Sequence, residues 1–131
     1  MSRREPRWID RTALLLLVGE SLAEHGGSPG LRDEGLLDSA LARPQQLWAY
    51  GKPDTAQLAA AYAYGIAKNH PFVDGNKRAA FLSIGLFLYA NRLRLTADPA
   101  DATLTMLGVA AGERSEEELV EWLRRHIALV D

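Results

Sequence analysis

The sequence predicts an all-α fold, a compact bundle of about six helices around a central buried helix. Three observations carry this expectation. Apolar residues recur at helical spacing, cap-forming residues stand ahead of these runs, and no stretch reads convincingly as a strand. Apolar residues make up 47% and charged residues 24% of the 131 residues, which is the balance of a packed chain and not of a disordered one. That length suits one domain spanning residues 1–131.

The first helix is expected from about Asp10 to Glu24. Leu14, Leu17, Val18, Ser21 and Leu22 share its inner face, and Gly26-Gly27 stops it. Gly26 to Gly30 then reads as a loop. Asp33 caps a second helix carrying Leu36, Leu37, Ala40 and Leu41. Pro44 is expected to end or kink it, which leaves Gln45 to Tyr50 as either an extension or a short hairpin. Gly51-Lys52-Pro53 marks a turn, and Asp54 caps a third helix running to about Asn69. The small side chains of Ala59 to Ala61 allow a neighbouring helix to come close.

His70 to Gly75 form a loop, and a long helix starts at Asn76. Its residues from Ala79 to Tyr89 are apolar on nearly every side, so it is expected to be the central helix. Asp98-Pro99 opens a fifth helix that stops near Gly112. Ser115 and Glu118 form a capping box for the last one, which is expected to include Leu119, Trp122, Leu123, His126 and Ile127.

The bulk properties exclude several function classes. A formal net charge of −2 argues against a general polyanion binder, so direct DNA binding is not expected. The absence of cysteine excludes disulfides, thiol catalysis and Cys-ligated metal, and it fits a reducing cytoplasm. The apolar run Ala13 to Val18 is far shorter than the ~20 residues needed to cross a bilayer. Arg3, Arg4 and Arg7 ahead of that run resemble a leader. Asp10 and Arg11 just before it, Glu20 soon after it and the lack of a clear cleavage site favour an ordinary first helix.

The chemistry gathers at Gly75-Asn76-Lys77-Arg78. A helix start exposes unpaired N–H groups and partial positive charge. A glycine ahead of it lets the chain turn tightly and approach a ligand. Lys77 and Arg78 on the first turn oppose the helix dipole, which makes sense if an anion sits there. These features describe a phosphate cradle. His70 can take a proton from a hydroxyl near neutral pH. Asp74, among phosphate ligands, is placed to hold magnesium. Phe72 lies two residues from each and is expected to plug into the core. Backbone N–H groups of Gly75 and Asn76 could then stabilise developing negative charge. Taken singly, each feature is weak: a lone loop histidine is commonly structural and a Lys-Arg pair is commonly a solvated face. The combination carries the reading.

His70-Pro71-Phe72-Val73-Asp74-Gly75-Asn76-Lys77-Arg78 resembles the signature of the Fic/Doc superfamily, His-x-Phe-x-(Asp/Asn/Glu)-(Gly/Ala)-Asn-(Gly/Lys)-Arg, at every specified position. Gly26 to Asp33, Leu41 to Gln45 and Ala79 to Asn91 look like its death-on-curing (Doc) branch, so the resemblance covers nearly the whole chain.

The resemblance implies the Fic/Doc fold and, residue by residue, a set of roles. His70 would be the general base, Asp74 the magnesium ligand, Gly75 and Asn76 part of the anion hole, Arg78 the holder of nucleotide phosphates, and Phe72 the core anchor. Adenylylating members carry glycine where this sequence has Lys77, as Doc-type members do. In the Doc branch the nucleotide is thought to bind reversed, so that the γ-phosphate of ATP meets the target hydroxyl, a threonine of elongation factor Tu, and translation stops. Pro71 paired with Gly75 is shared with adenylylating members and keeps nucleotidyl transfer as an alternative, beside a non-catalytic binding module. The Ser/Thr-x-x-x-Glu-(Gly/Asn) pattern of self-inhibited members is missing. Glu34-Gly35 is the sole Glu-Gly pair, and Gly30 stands four residues before Glu34. A separate small antitoxin is therefore the implied partner.

Overall fold

A computed structural model of the protein describes residues 4–130, so Arg3 lies outside the described residues. The elements run α1 (Arg11–His25), α2 (Glu34–Tyr50), α3 (Thr55–Asn69), α4 (Asn76–Ala90), β1 (Leu93–Leu95), α5 (Pro99–Ala110), α6 (Glu116–Arg124) and β2 (Ile127–Leu129). The fold is an all-helical bundle with one very small sheet.

Three helix starts carry the expected side-chain caps, whereas Asp98 ahead of α5 makes no side-chain cap bond. Asp33 accepts from the N–H of Leu36 at 2.9 Å. Asp54 with Gln57 and Ser115 with Glu118 each close a reciprocal capping box. Pro99 opens α5, where a missing N–H costs nothing.

Two local expectations are corrected. Helix α2 does not end at Pro44 but continues to Tyr50, which settles the Gln45–Tyr50 ambiguity in favour of an extension. Proline removes one helical hydrogen bond and crowds the preceding turn. Tertiary anchoring outweighs that cost here. Pro44 is fully buried, and the adjacent Arg43 donates to Ala61 O of α3 at 3.0 Å and pairs with Glu116 of α6 at 2.8 Å. The second correction concerns Ile127, which was expected in the last helix. Helix α6 ends at Arg124, and Ile127 pairs with Leu95 in the antiparallel β1–β2 ladder. His126 Nδ1 lies 2.7 Å from Trp122 O. A carbonyl can only accept, so the proton sits on Nδ1 and the ring closes off the end of α6.

The centre also shifts by one helix. Ten of the fifteen residues of α3 are buried against six of fifteen in α4, and α3 packs on α2, α4, α5 and α6. Its alanines are the reason. The run from Ala59 to Ala61 is wholly inaccessible, and at Gly65 an added Cβ would lie 3.3 Å from Ala40 of α2. Helix α4 leaves Phe81 and Tyr89 exposed. Aromatic packing closes the core beside them. Tyr62 meets Phe87 at 5.2 Å between ring centroids, and Trp8 stacks on Phe87 at 6.3 Å. Burial pushes the Tyr62 phenol above its ordinary pKa, partly offset by the hydrogen bond its oxygen accepts from Ile9 N–H. No described helix is long and apolar enough to cross a membrane.

Candidate active site

Helix α3 delivers the loop and α4 leaves it, so the two most closely packed helices set its ends. His70 closes α3 in the left-handed region, at φ 49° and ψ 56°. That conformation costs a non-glycine residue about 1–2 kcal/mol, so the surroundings must hold it. They do so from both sides. His70 N–H donates to Ile66 O at 3.1 Å, and His70 O accepts from Arg32 Nε at 2.8 Å. Arg32 Nη2 also donates to Asn69 O at 2.9 Å, so one guanidinium ties down the last two carbonyls before the loop.

The segment from Gly30 to Asp33 braces the loop along its length. Leu31 and Phe72 form an antiparallel bridge. Arg32 N–H and Asp33 N–H both donate to Pro71 O, at 2.7 and 3.1 Å, and Val73 N–H donates to Gly30 O at 3.0 Å. Phe72 is 3% exposed within the main core cluster. Pro71 beside it is buried as well, while His70, Val73, Asp74, Lys77 and Arg78 are all exposed.

Asn76 holds the loop closed on itself. Its Oδ1 accepts from Phe72 N–H at 2.8 Å, and its Nδ2 donates to Phe72 O at 3.0 Å. The side chain is thereby committed, and the group Asn76 has left for a ligand is its backbone N–H. Gly75 has φ 75°, and a Cβ there would come within 2.9 Å of Leu22 Cδ2. Only glycine satisfies both demands. At Gly27, φ 128°, an added Cβ would lie 2.6 Å from the same Leu22 methyl and 3.1 Å from Asp74 Oδ2, so a side chain there would push into the acidic group.

Helix α4 starts with no side-chain cap and no acidic residue in its first turn. Among the described residues, no carboxylate pairs with Lys77 or Arg78. His70, Asp74, Gly75, Asn76, Lys77 and Arg78 line one cleft of about 500 Å³, with Leu22, Gly26 and Val73 completing its wall. The sequence-derived site residues thus come together, Phe72 excepted, which lies beneath them in the core.

Two details differ from what the sequence suggests. Gly75 N–H donates to Asp74 Oδ1 at 2.8 Å, so a bound anion would have to compete for it. Asp74 Oδ2 accepts from Ser28 N–H at 3.2 Å. A carboxylate offers about four lone-pair directions, so two remain for a cation. No group of three His, Asp or Glu side chains placed to hold a metal ion occurs among the described residues. That excludes an all-protein cage there, but it fits magnesium, which commonly takes one or two carboxylates and completes its shell with water and substrate phosphate.

The sequence assigns no site role to Ser28 or Arg32, and it places Leu22 on the inner face of α1 without marking it as cleft wall. Their signal was present in part, since Gly26 to Asp33 already stood out as a glycine-rich stretch. A backbone donor and a guanidinium reaching carbonyls leave no pattern that spacing can reveal.

An all-helical bundle with a braced His-x-Phe-x-Asp-Gly-Asn-Lys-Arg loop feeding an uncapped helix defines a recognisable class. The chain belongs to the Fic/DOC family, whose model matches residues 8–88. It is 35% identical over 120 residues to "Protein kinase doc" of Escherichia phage P1, covering 91% of this chain and 94% of that protein. It is 46% identical over 94 residues to "Toxin Doc" of Mycolicibacterium smegmatis, covering 70% of this chain and 69% of that protein.

Proposed function

We propose that this protein is a toxin-type protein kinase that moves the γ-phosphate of ATP onto a protein hydroxyl. The observation that carries the reading is the start of α4. It is uncapped, carries Lys77 and Arg78 without ion-pair partners among the described residues, and shares one cleft with His70. A helix start with two spare cations is suited to a polyphosphate. A histidine beside it is suited to deprotonating an incoming hydroxyl. The relatives named as a kinase and as a toxin support the same reading.

In this reaction the target oxygen bonds to the γ-phosphorus as the bond from that phosphorus to the β,γ-bridging oxygen breaks. The hydroxyl proton passes to the His70 ring, and ADP leaves. Arg78 and Lys77 hold phosphate oxygens, and the backbone N–H groups at the start of α4 meet the charge that develops on them. Asp74 would hold magnesium, which supplies further positive charge against the phosphates when bound. Lys77 fills the space that glycine leaves open in adenylylating members, which favours γ-phosphate transfer over AMP transfer. The proposed target is a threonine of elongation factor Tu, with translation arrest as the outcome and a small antitoxin as the controlling partner. The proposed site of action is the cytoplasm.

The test is incubation with purified elongation factor Tu and ATP labelled at either the γ or the α position. Label transferred from the γ position alone is the expected result. Transfer from the α position would replace the kinase reading by nucleotidyl transfer, the alternative favoured by Pro71 with Gly75. No transfer to this or any lysate protein would leave a binding module.

A further inference from the structure

A second, smaller cleft of about 190 Å³ lies between α4 and α5, lined by Lys77, Arg78, Phe81, Thr103 and Met106. We propose that it holds the base of the nucleotide and selects a purine bearing an amino group. The proposal rests on the phosphate-transfer reading above.

In-line transfer places the attacking and leaving oxygens on opposite sides of phosphorus. The attacking hydroxyl meets His70, which lines the larger cleft and not the smaller one. Lys77 and Arg78 line both clefts and form the ridge between them. A triphosphate with its terminal phosphate at the start of α4 and its leaving end directed away from His70 passes over that ridge. It then reaches the Phe81 side. Phe81 follows Lys77 by four residues, one helical turn, so the two side chains are neighbours on the same face.

The shape and chemistry of the cleft suit a single base. Its volume falls below the about 300–1,000 Å³ of sites that take whole drug-sized ligands, which is right for one flat ring system. Phe81 is 37% exposed, an aromatic surface that α5 leaves partly uncovered. Met106 provides a soft apolar floor. Thr103 adds direction. Its Oγ1 donates to Pro99 O at 3.0 Å, so its one proton is committed and the oxygen presents lone pairs to the cleft's ligand. Lone pairs accept from the amino group on the six-membered edge of adenine. They face repulsively the carbonyl that guanine carries at the same position.

The test is calorimetric titration of the full chain, with magnesium, using three probes: inorganic tripolyphosphate, a non-hydrolysable ATP analogue and the matching GTP analogue. Phe81→Ala is expected to weaken the ATP analogue roughly tenfold, the scale of lost base stacking, and to leave tripolyphosphate within about twofold. Thr103→Val is expected to remove the preference for the ATP analogue over the GTP analogue, and Thr103→Ser to retain it. Thermal melts of each variant confirm an intact fold. If Phe81→Ala and Thr103→Val both leave affinity and preference unchanged while tripolyphosphate binds, the base lies elsewhere and the phosphate site stands. If tripolyphosphate fails to bind the unmodified protein, the phosphate-transfer reading falls and the base site with it.

Discussion

Asn76 commits both ends of its amide to the backbone of Phe72, so the residue that looks like a phosphate ligand in sequence also shapes the loop. Asn76→Asp separates these roles. A carboxylate still accepts from Phe72 N–H but cannot donate to Phe72 O, and it adds negative charge where a phosphate is expected. Leaving that partly buried carbonyl unpaired costs about 1–3 kcal/mol. The melting temperature should fall and ATP affinity should drop with it. An unchanged melting temperature would mean that the loop is held without this clamp. His70 is the opposite case. Its ring is exposed and accepts no structural duty, whereas its backbone is pinned by Ile66 and Arg32. His70→Ala should therefore reduce phosphate transfer by ~10²–10⁴-fold, the usual effect of losing a general base, with the melting temperature close to that of the unmodified protein. Activity within a few-fold of normal would remove His70 from the chemistry.

The elements differ in how openly the sequence announces them. Helix starts were legible because a cap is a local event: Asp33, Asp54 and Ser115 each bond to an N–H within three residues. The continuation of α2 through Pro44 was not legible, because Ala61 and Glu116, which hold the adjacent Arg43, lie far along the chain. Strand β2 was hidden for a related reason. Three residues are too few to show alternation, and their partner is 30-odd residues earlier. The cap of α6 yields a pH prediction. Hydrogen bonds to Ser115, its backbone N–H first and then its hydroxyl side, hold the exposed Glu118 carboxyl below the usual carboxylate range. A group with a depressed folded-state pKa contributes stability above its unfolded pKa and loses it as pH falls through the folded one. Glu118→Gln keeps an acceptor for Ser115 N–H but removes the titration. Chemical denaturation of both proteins from about pH 7 to pH 3 should show the stability gap closing toward acid. A gap that stays constant across that range would show that the charge of Glu118 adds nothing to the cap.

At the scale of the whole molecule, the nine-residue loop-helix segment was readable because its parts are contiguous, while its support was not. Asp74 receives Ser28 N–H from 46 residues away, and His70 O receives Arg32 from 38 away. The site is thus a junction of α1's exit, α3's end and α4's start, and a ligand bound there should stabilise the entire bundle. Binding to the folded state alone adds about 2.7 kcal/mol when free ligand is 100 times its Kd. Adding ATP with magnesium should raise the melting temperature, and chelating the metal should reduce that rise, because Asp74 is the group proposed to hold the cation. In Asp74→Asn the amide keeps an oxygen that can accept from Ser28 or Gly75, so the apo fold should survive, yet the magnesium-dependent part of the rise should disappear. Lys77 and Arg78 remain in that variant, so a smaller, metal-independent shift with ATP should persist. If Asp74→Asn responds to magnesium as the unmodified protein does, the metal is held by phosphate and water alone. Asp74 would then serve only to order the Gly27–Ser28 turn against the loop.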